Sequence, residues 1–160
     1  MAAAEKDAEQ LTAIHNRLET AKNTYWATEV EVQRLAVAGW IAQAKGSPEE
    51  ALKLMRASAD LEDRNEKHIV TPGRIVPARE LLGEMLLEQK QPAVALKEFE
   101  ASQVREPNRF RNYAGSAMAA EAMGDKKKAG EYYAKLLELS KKSDGNRPEL
   151  TRAKAYVAQR

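Results

Sequence analysis

Three carboxylates, Glu80, Glu84 and Glu88, recur at intervals of four residues, a spacing that sets them on one face of a helix. Such a row is either an ordinary solvated face or a negative wall that attracts a basic group, and its mutual repulsion costs the helix a little stability. Arg109 and Arg111 flank Phe110 and offer forked donors to a carboxylate or phosphate, with Asn108 as the expected helix cap. His68, Thr71 and Arg74 fall in the least helical stretch of the chain, around the Pro72-Gly73 turn. None of these groups composes a reaction centre. The two histidines, His15 and His68, lie far apart and outside any HExxH-type spacing, so no metal site is recognisable. There is no glycine-rich phosphate loop and no Gly-x-Ser-x-Gly elbow. Cysteine is absent, which removes disulfides, thiol chemistry and cysteine-ligated metals. The residues with chemistry therefore point to binding, with no catalytic residue and no cofactor assigned.

The elements that must position them are helical. Hydrophobic residues make up 43% of the 160 positions, much of this alanine, and aromatics only 6%. That mix favours helices packed closely through small side chains over a sheet. Leu11, Ile14, Leu18 and Ala21 recur at helical spacing and predict a helix over 4–22. A longer one follows over 24–44, capped by Asn23 or Thr24 and stopped by Lys45-Gly46. Ser47-Pro48-Glu49-Glu50 reads as a capping box that opens a third helix to about residue 60. After the break at 63–75, helices are predicted over 76–89, 92–104, 109–122, 126–141 and 148–158. Pro48, Pro92 and Pro148 each stand at a helix start, where the missing N–H costs least. No apolar run approaches the length of about 20 residues that spans a bilayer.

Two stretches coincide when slid by 34 residues. Leu82-Gly83-Glu84-Met85-Leu86, followed by Ala95 and Phe99, matches Ser116-Ala117-Met118-Ala119-Ala120, followed by Ala129 and Tyr133. Self-similarity at this period marks a stacked helical hairpin, a unit that cannot bury its apolar face alone. Gly39, Gly83 and Ala117 sit mid-helix, where glycine costs about 1 kcal/mol of propensity, a cost that makes sense if a partner backbone approaches closely.

On these residues the chain resembles the tetratricopeptide repeat (TPR) family, in a degenerate, bacterial-type form. Leu82, Gly83, Leu86, Ala95, Phe99 and Pro107 carry the pattern in a unit at 76–109. Tyr113, Ala117, Gly124, Ala129 and Tyr133 carry it at 110–143, and Leu35, Gly39, Gly46, Ala51 and Met55 at 32–65. Arg79 stands where the family has a bulky aromatic, Lys90 where it has the turn glycine, and Asp63 where the first unit should close with proline. The resemblance implies one domain over 1–160: an N-terminal packing segment at 1–31, three repeats, an insertion loop at 66–75 and a capping helix at 147–160. The implied fold is an all-α, right-handed α-solenoid of antiparallel hairpins with about eight helices.

The resemblance also implies a concave groove lined by the first helix of each hairpin. Projected on that basis, the groove carries Gln33, Ala36, Trp40 and Gln43, then Glu80, Glu84, Leu87 and Glu88, then Arg111, Ala114, Met118 and Glu121. His68, Thr71, Arg74 and Arg109 would form a rim, unless the insertion is simply a packed loop fixed by Pro72 and Pro77. A protein or peptide partner, basic if the glutamate row selects it, is the first expectation. The second is self-assembly, with an acidic body docking on the basic end of a neighbour, since residues 126–160 carry ten basic and four acidic side chains. Nucleic-acid binding ranks last, because aromatic residues among those cations are limited to Tyr132, Tyr133 and Tyr156. The N-terminal residues have no apolar h-region, so no signal peptide is expected. The compartment stays open: cytoplasmic for a complete chain, others for a fragment of a longer one.

Overall fold

The computed structural model describes residues 1–68, 74–143 and 145–159. These form eight helices: α1 Ala2–Thr20, α2 Thr24–Ala44, α3 Pro48–Arg64, α4 Ala78–Glu88, α5 Pro92–Arg105, α6 Phe110–Ala122, α7 Lys126–Leu139 and α8 Pro148–Ala158. No strand occurs among the described residues. Nor is any helix there long and apolar enough to cross a membrane. α3 continues one turn beyond the expected end at residue 60, keeping Glu62 and Arg64 helical.

Proline opens α3, α5 and α8 as expected. Three expected caps are not made. Asn23 is the N-cap of α2, but its side chain makes no cap bond. Ser47 is the N-cap of α3, but its side chain caps nothing, so the capping box does not form. Arg109 rather than Asn108 is the N-cap of α6. Asn108 instead takes a left-handed φ of 59° and accepts a hydrogen bond from the Tyr113 hydroxyl at 3.2 Å. A side-chain N-cap bond forms at α7, where Asp125 accepts from the Lys128 amide at 3.0 Å.

Four helix ends share one geometry. Lys22, Gly46, Lys90 and Gly124 have φ of 55°, 79°, 60° and 75°. In each case the next amide returns to a carbonyl five residues back: Asn23 to Leu18, Ser47 to Ala42, Gln91 to Leu86 and Asp125 to Ala120, at 2.8–3.0 Å. These bonds satisfy carbonyls the helix would otherwise leave open. Lys90 thus performs the turn that glycine performs at Gly124, 34 residues later. A β-carbon in that conformation costs about 1 kcal/mol.

The helices gather into two compact units, Met1–Met85 and Leu86–Arg160. In the first unit α1 packs on α2, and α2 on α3. α1 has no fully buried residue, whereas α2 and α3 share a core of Val32, Ala36, Ala51, Met55 and Ala59. Gly39 shows how closely these helices approach. A β-carbon there would lie 3.1 Å from the Ala51 carbonyl oxygen and 3.4 Å from the Met55 amide nitrogen. Because the late part of α2 meets the early part of α3, the two run antiparallel.

In the second unit α5 packs on α6, α6 on α7, and α7 on α8. Phe99, Tyr133 and Leu136 are fully buried among Ala95, Ala117 and Ala120. Burial of each large side chain contributes about 2–3 kcal/mol. A close contact is made at Gly115, where a β-carbon would lie 2.3 Å from Phe99 Cζ. A small-residue contact of this kind is expected at Ala117, which is itself buried; Gly115, two positions earlier, makes such a contact as well.

Candidate functional site

In the first unit α2 presents Trp26, Glu29, Gln33 and Val37 along one face, and these residues line a cavity of about 550 Å³. The spacings of three and four residues are those of a single helical stripe. Leu11 of α1, Glu62 of α3 and Leu81 of α4 complete the helical walls, while Lys67, Arg74, Ile75 and Val76 come from the α3–α4 connection. Aliphatic groups dominate the lining. At the mouth, Trp26 is 41% exposed and Ile75 is 92% exposed, so two large apolar side chains are presented to solvent.

One end of the cavity is polar and closely paired. The Arg74 guanidinium donates from Nη2 to Glu29 Oε1 at 3.1 Å and to the Asn65 carbonyl at 2.8 Å. It also reaches the Glu62 carbonyl at 3.3 Å. Its Nε lies 3.2 Å from Glu62 Oε1, and the two side chains are only 13% and 8% exposed. Asn65 adds a second donor to Glu29 Oε1 at 2.7 Å. The other oxygen of Glu62 accepts the Ala78 amide at 2.8 Å, an amide that a helix start leaves without an internal partner.

Burial pushes the Glu62 carboxyl up to about 7, outweighing the Ala78 amide and Arg74, which pull it down. The charges of Glu29 and Asp63 add to the rise. Above the polar end, Tyr25 and Trp26 meet edge to face with centroids 5.1 Å apart. The His68 ring lies 5.3 Å from Tyr25 and 6.3 Å from Trp26, and its amide donates to the Tyr25 hydroxyl at 3.0 Å. The three rings form an aromatic corner.

The residues singled out in the sequence distribute unevenly. Gln33 and Ala36 line the cavity; Trp40 and Gln43, on the same helix, are half-buried and outside it. Glu80 is 0% exposed, Glu84 is half-buried and Glu88 exposed. The three carboxylates therefore do not present a solvent-facing row: a helical stripe says which residues share a face, and this face turns inward at Glu80. Of the rim residues, His68 is exposed, Arg74 lies in the buried cluster, Arg109 is half-buried and Thr71 lies outside the described residues. In the second unit Arg111, Met118 and Glu121 are half-buried. Glu121 accepts from the Tyr133 hydroxyl at 2.6 Å and pairs with Arg152 at 3.0 Å. Burial, then the bond to Glu121, raises the Tyr133 phenol well above its ordinary value.

Glu29, Glu62, Trp26 and Leu81 are among the cavity residues that sequence reasoning missed. The available signal was a carboxylate on each apolar face of α2 and α3, facing an aliphatic pair, Ile75-Val76, next to an arginine. Among the described residues no group of three or more metal-ligating side chains is placed to hold an ion.

Comparison with known proteins is consistent with this architecture. Residues 110–143, which hold α6 and α7, match the tetratricopeptide repeat family. No curated protein sequence matches the chain. Among solved structures, PcrH from Pseudomonas aeruginosa is similar with a TM-score of 0.62 at 16% identity, over 80% of this chain and 89% of that one. MamA from Desulfovibrio magneticus RS-1, residues 41 to the end, gives 0.56 at 17% identity, over 95% and 92%. A double mutant of MamA RS-1 gives 0.55 at 17% identity, over 95% and 93%. At such identities the likeness shows the fold, which is an all-α, TPR-like helical repeat.

Proposed function

For a chain that carries a tetratricopeptide repeat on a TPR-like fold, we propose a non-catalytic scaffold that binds a segment of a partner protein in the cavity of its first unit. The observation that carries this reading is the cavity itself, about 550 Å³ with mostly aliphatic walls, with Trp26 and Ile75 exposed at its mouth. Apolar concavities with a few convergent polar groups are the usual form of a binding site. Exposed large apolar residues gathered at one opening mark an interaction surface more often than scattered ones do. The polar end supplies orientation, and the aliphatic walls supply affinity through the area they remove from water.

The reading predicts where a partner touches. A photo-crosslinking residue placed at Gln33 should label a partner protein in lysate of the source cell, and one placed at Lys53 on α3 should not. Trp26→Ala should lower the Gln33 adduct about tenfold or more, as expected when an aromatic anchor is removed. Equal labelling from both positions, or an adduct indifferent to Trp26→Ala, would exclude the cavity.

A further inference from the structure

The charged residues of the cavity sort by the element that bears them. The helical walls contribute two charges, Glu29 of α2 and Glu62 of α3, both carboxylates. The α3–α4 connection contributes two cations, Lys67 and Arg74, and next to Arg74 stand two aliphatic residues, Ile75 and Val76. Helices fixed by a packed core thus form an acidic and aliphatic receptacle, and the connection brings basic and aliphatic chemistry to it. The fit at the polar end is specific. Arg74 is held by one oxygen of Glu29, by Glu62 Oε1 and by the carbonyls of Glu62 and Asn65. Nη2 carries three of these contacts, and Nε contributes ion-pair proximity rather than a hydrogen bond; what the array selects is a cation, and leaving its buried carboxylates without one would be costly.

Resting on the reading of this cavity as a segment-binding site, we propose that its helical walls recognise a basic–aliphatic segment, an arginine followed by two aliphatic residues. Arg74 holds the arginine's place within the chain until the partner replaces it, while Ile75, 92% exposed, leaves the aliphatic part unfilled. A partner arginine gains the same acceptors only when Arg74 leaves them, so the connection lowers affinity for any external segment. Specificity then comes from charge: an acidic residue at that position would face Glu29 and Glu62 without a counter-ion. The aliphatic residues that follow would occupy space beside Val32, Val37 and Leu81, which the connection leaves open.

The test uses the full chain and two probes, acetyl-Arg-Ile-Val-Pro-amide and the same tetrapeptide with Glu in place of Arg. Binding is read from the indole N–H signals of the two tryptophans by NMR titration. Arg74→Gln keeps an amide donor toward the Asn65 and Glu62 carbonyls while removing the charge, and it should bind the arginine peptide about tenfold tighter than wild type. Arg74→Ala should do the same if its helicity is retained. Wild type, which needs no substitution to fold, should still prefer the arginine peptide to the glutamate peptide by about tenfold. Equal binding of both peptides to wild type, or equal binding of the arginine peptide to wild type and the folded variants, overturns the assignment while leaving the cavity as a segment site. Binding of neither peptide to any form also overturns it, and the Gln33 cross-link then judges the cavity separately.

Discussion

Glu62 and Arg74 cap each other's helices. The Glu62 carboxylate, projecting from the end of α3, receives the Ala78 amide that opens α4. Arg74, just ahead of α4, covers the Glu62 and Asn65 carbonyls that close α3. The two side chains meet at 3.2 Å. One ion pair therefore satisfies the end of one helix and the beginning of the next.

This arrangement makes stability pH-dependent in a defined direction. Burial raises the folded-state Glu62 value to about 7 from 4.5, so the folded chain holds a proton that the unfolded chain has released between those values. The stabilisation from this group is complete below the unfolded value and is lost as pH rises through about 7. Its span is up to about 3 kcal/mol. Glu62→Gln should flatten the fall in denaturation midpoint between about pH 5 and about pH 8; a slope identical to wild type would exclude Glu62 as its source.

Gly115 should be intolerant of the smallest side chain. A β-carbon at this position would lie only 2.3 Å from the Phe99 ring, so Gly115→Ala forces the ring to move, at a cost of about 1–3 kcal/mol. Phe99→Leu vacates that space, so the double variant should be more stable than the two single losses added together. Strict additivity in urea denaturation would show that the two positions do not touch.

Lys90 offers the opposite sign. Lys90→Gly removes a β-carbon from a left-handed turn while keeping the amide bonds to Leu87 and Leu86. It should stabilise the chain by up to about 1 kcal/mol. Gly124→Lys, the reverse exchange one repeat later, should lose a similar amount. An unchanged urea midpoint for Lys90→Gly would show that the strain is relieved elsewhere.

Much of the fold was legible because its signals are local. Pro48, Pro92 and Pro148 open helices, and Gly46 and Gly124 end them, for reasons contained in each residue's own backbone. The 34-residue period was legible too, and it places Lys90 in the glycine turn even though lysine disguises it. The expected caps at Asn23, Ser47 and Asn108 failed because a capping residue type permits a bond without requiring one. The burial of Glu80 escaped notice because periodicity groups residues by face without saying which face turns inward. The Glu62–Arg74 pair was the hardest to see. Its members stand twelve positions apart, flanking a stretch of sequence in which neither helical nor strand spacing relates one residue to another.

That pair has a consequence for how the chain tolerates change. Glu62 holds the first amide of α4 while Arg74 holds the last carbonyls of α3. Losing either side chain opens a helix end and strips a half-buried to buried charge of its counter-ion, so the two positions can change only together.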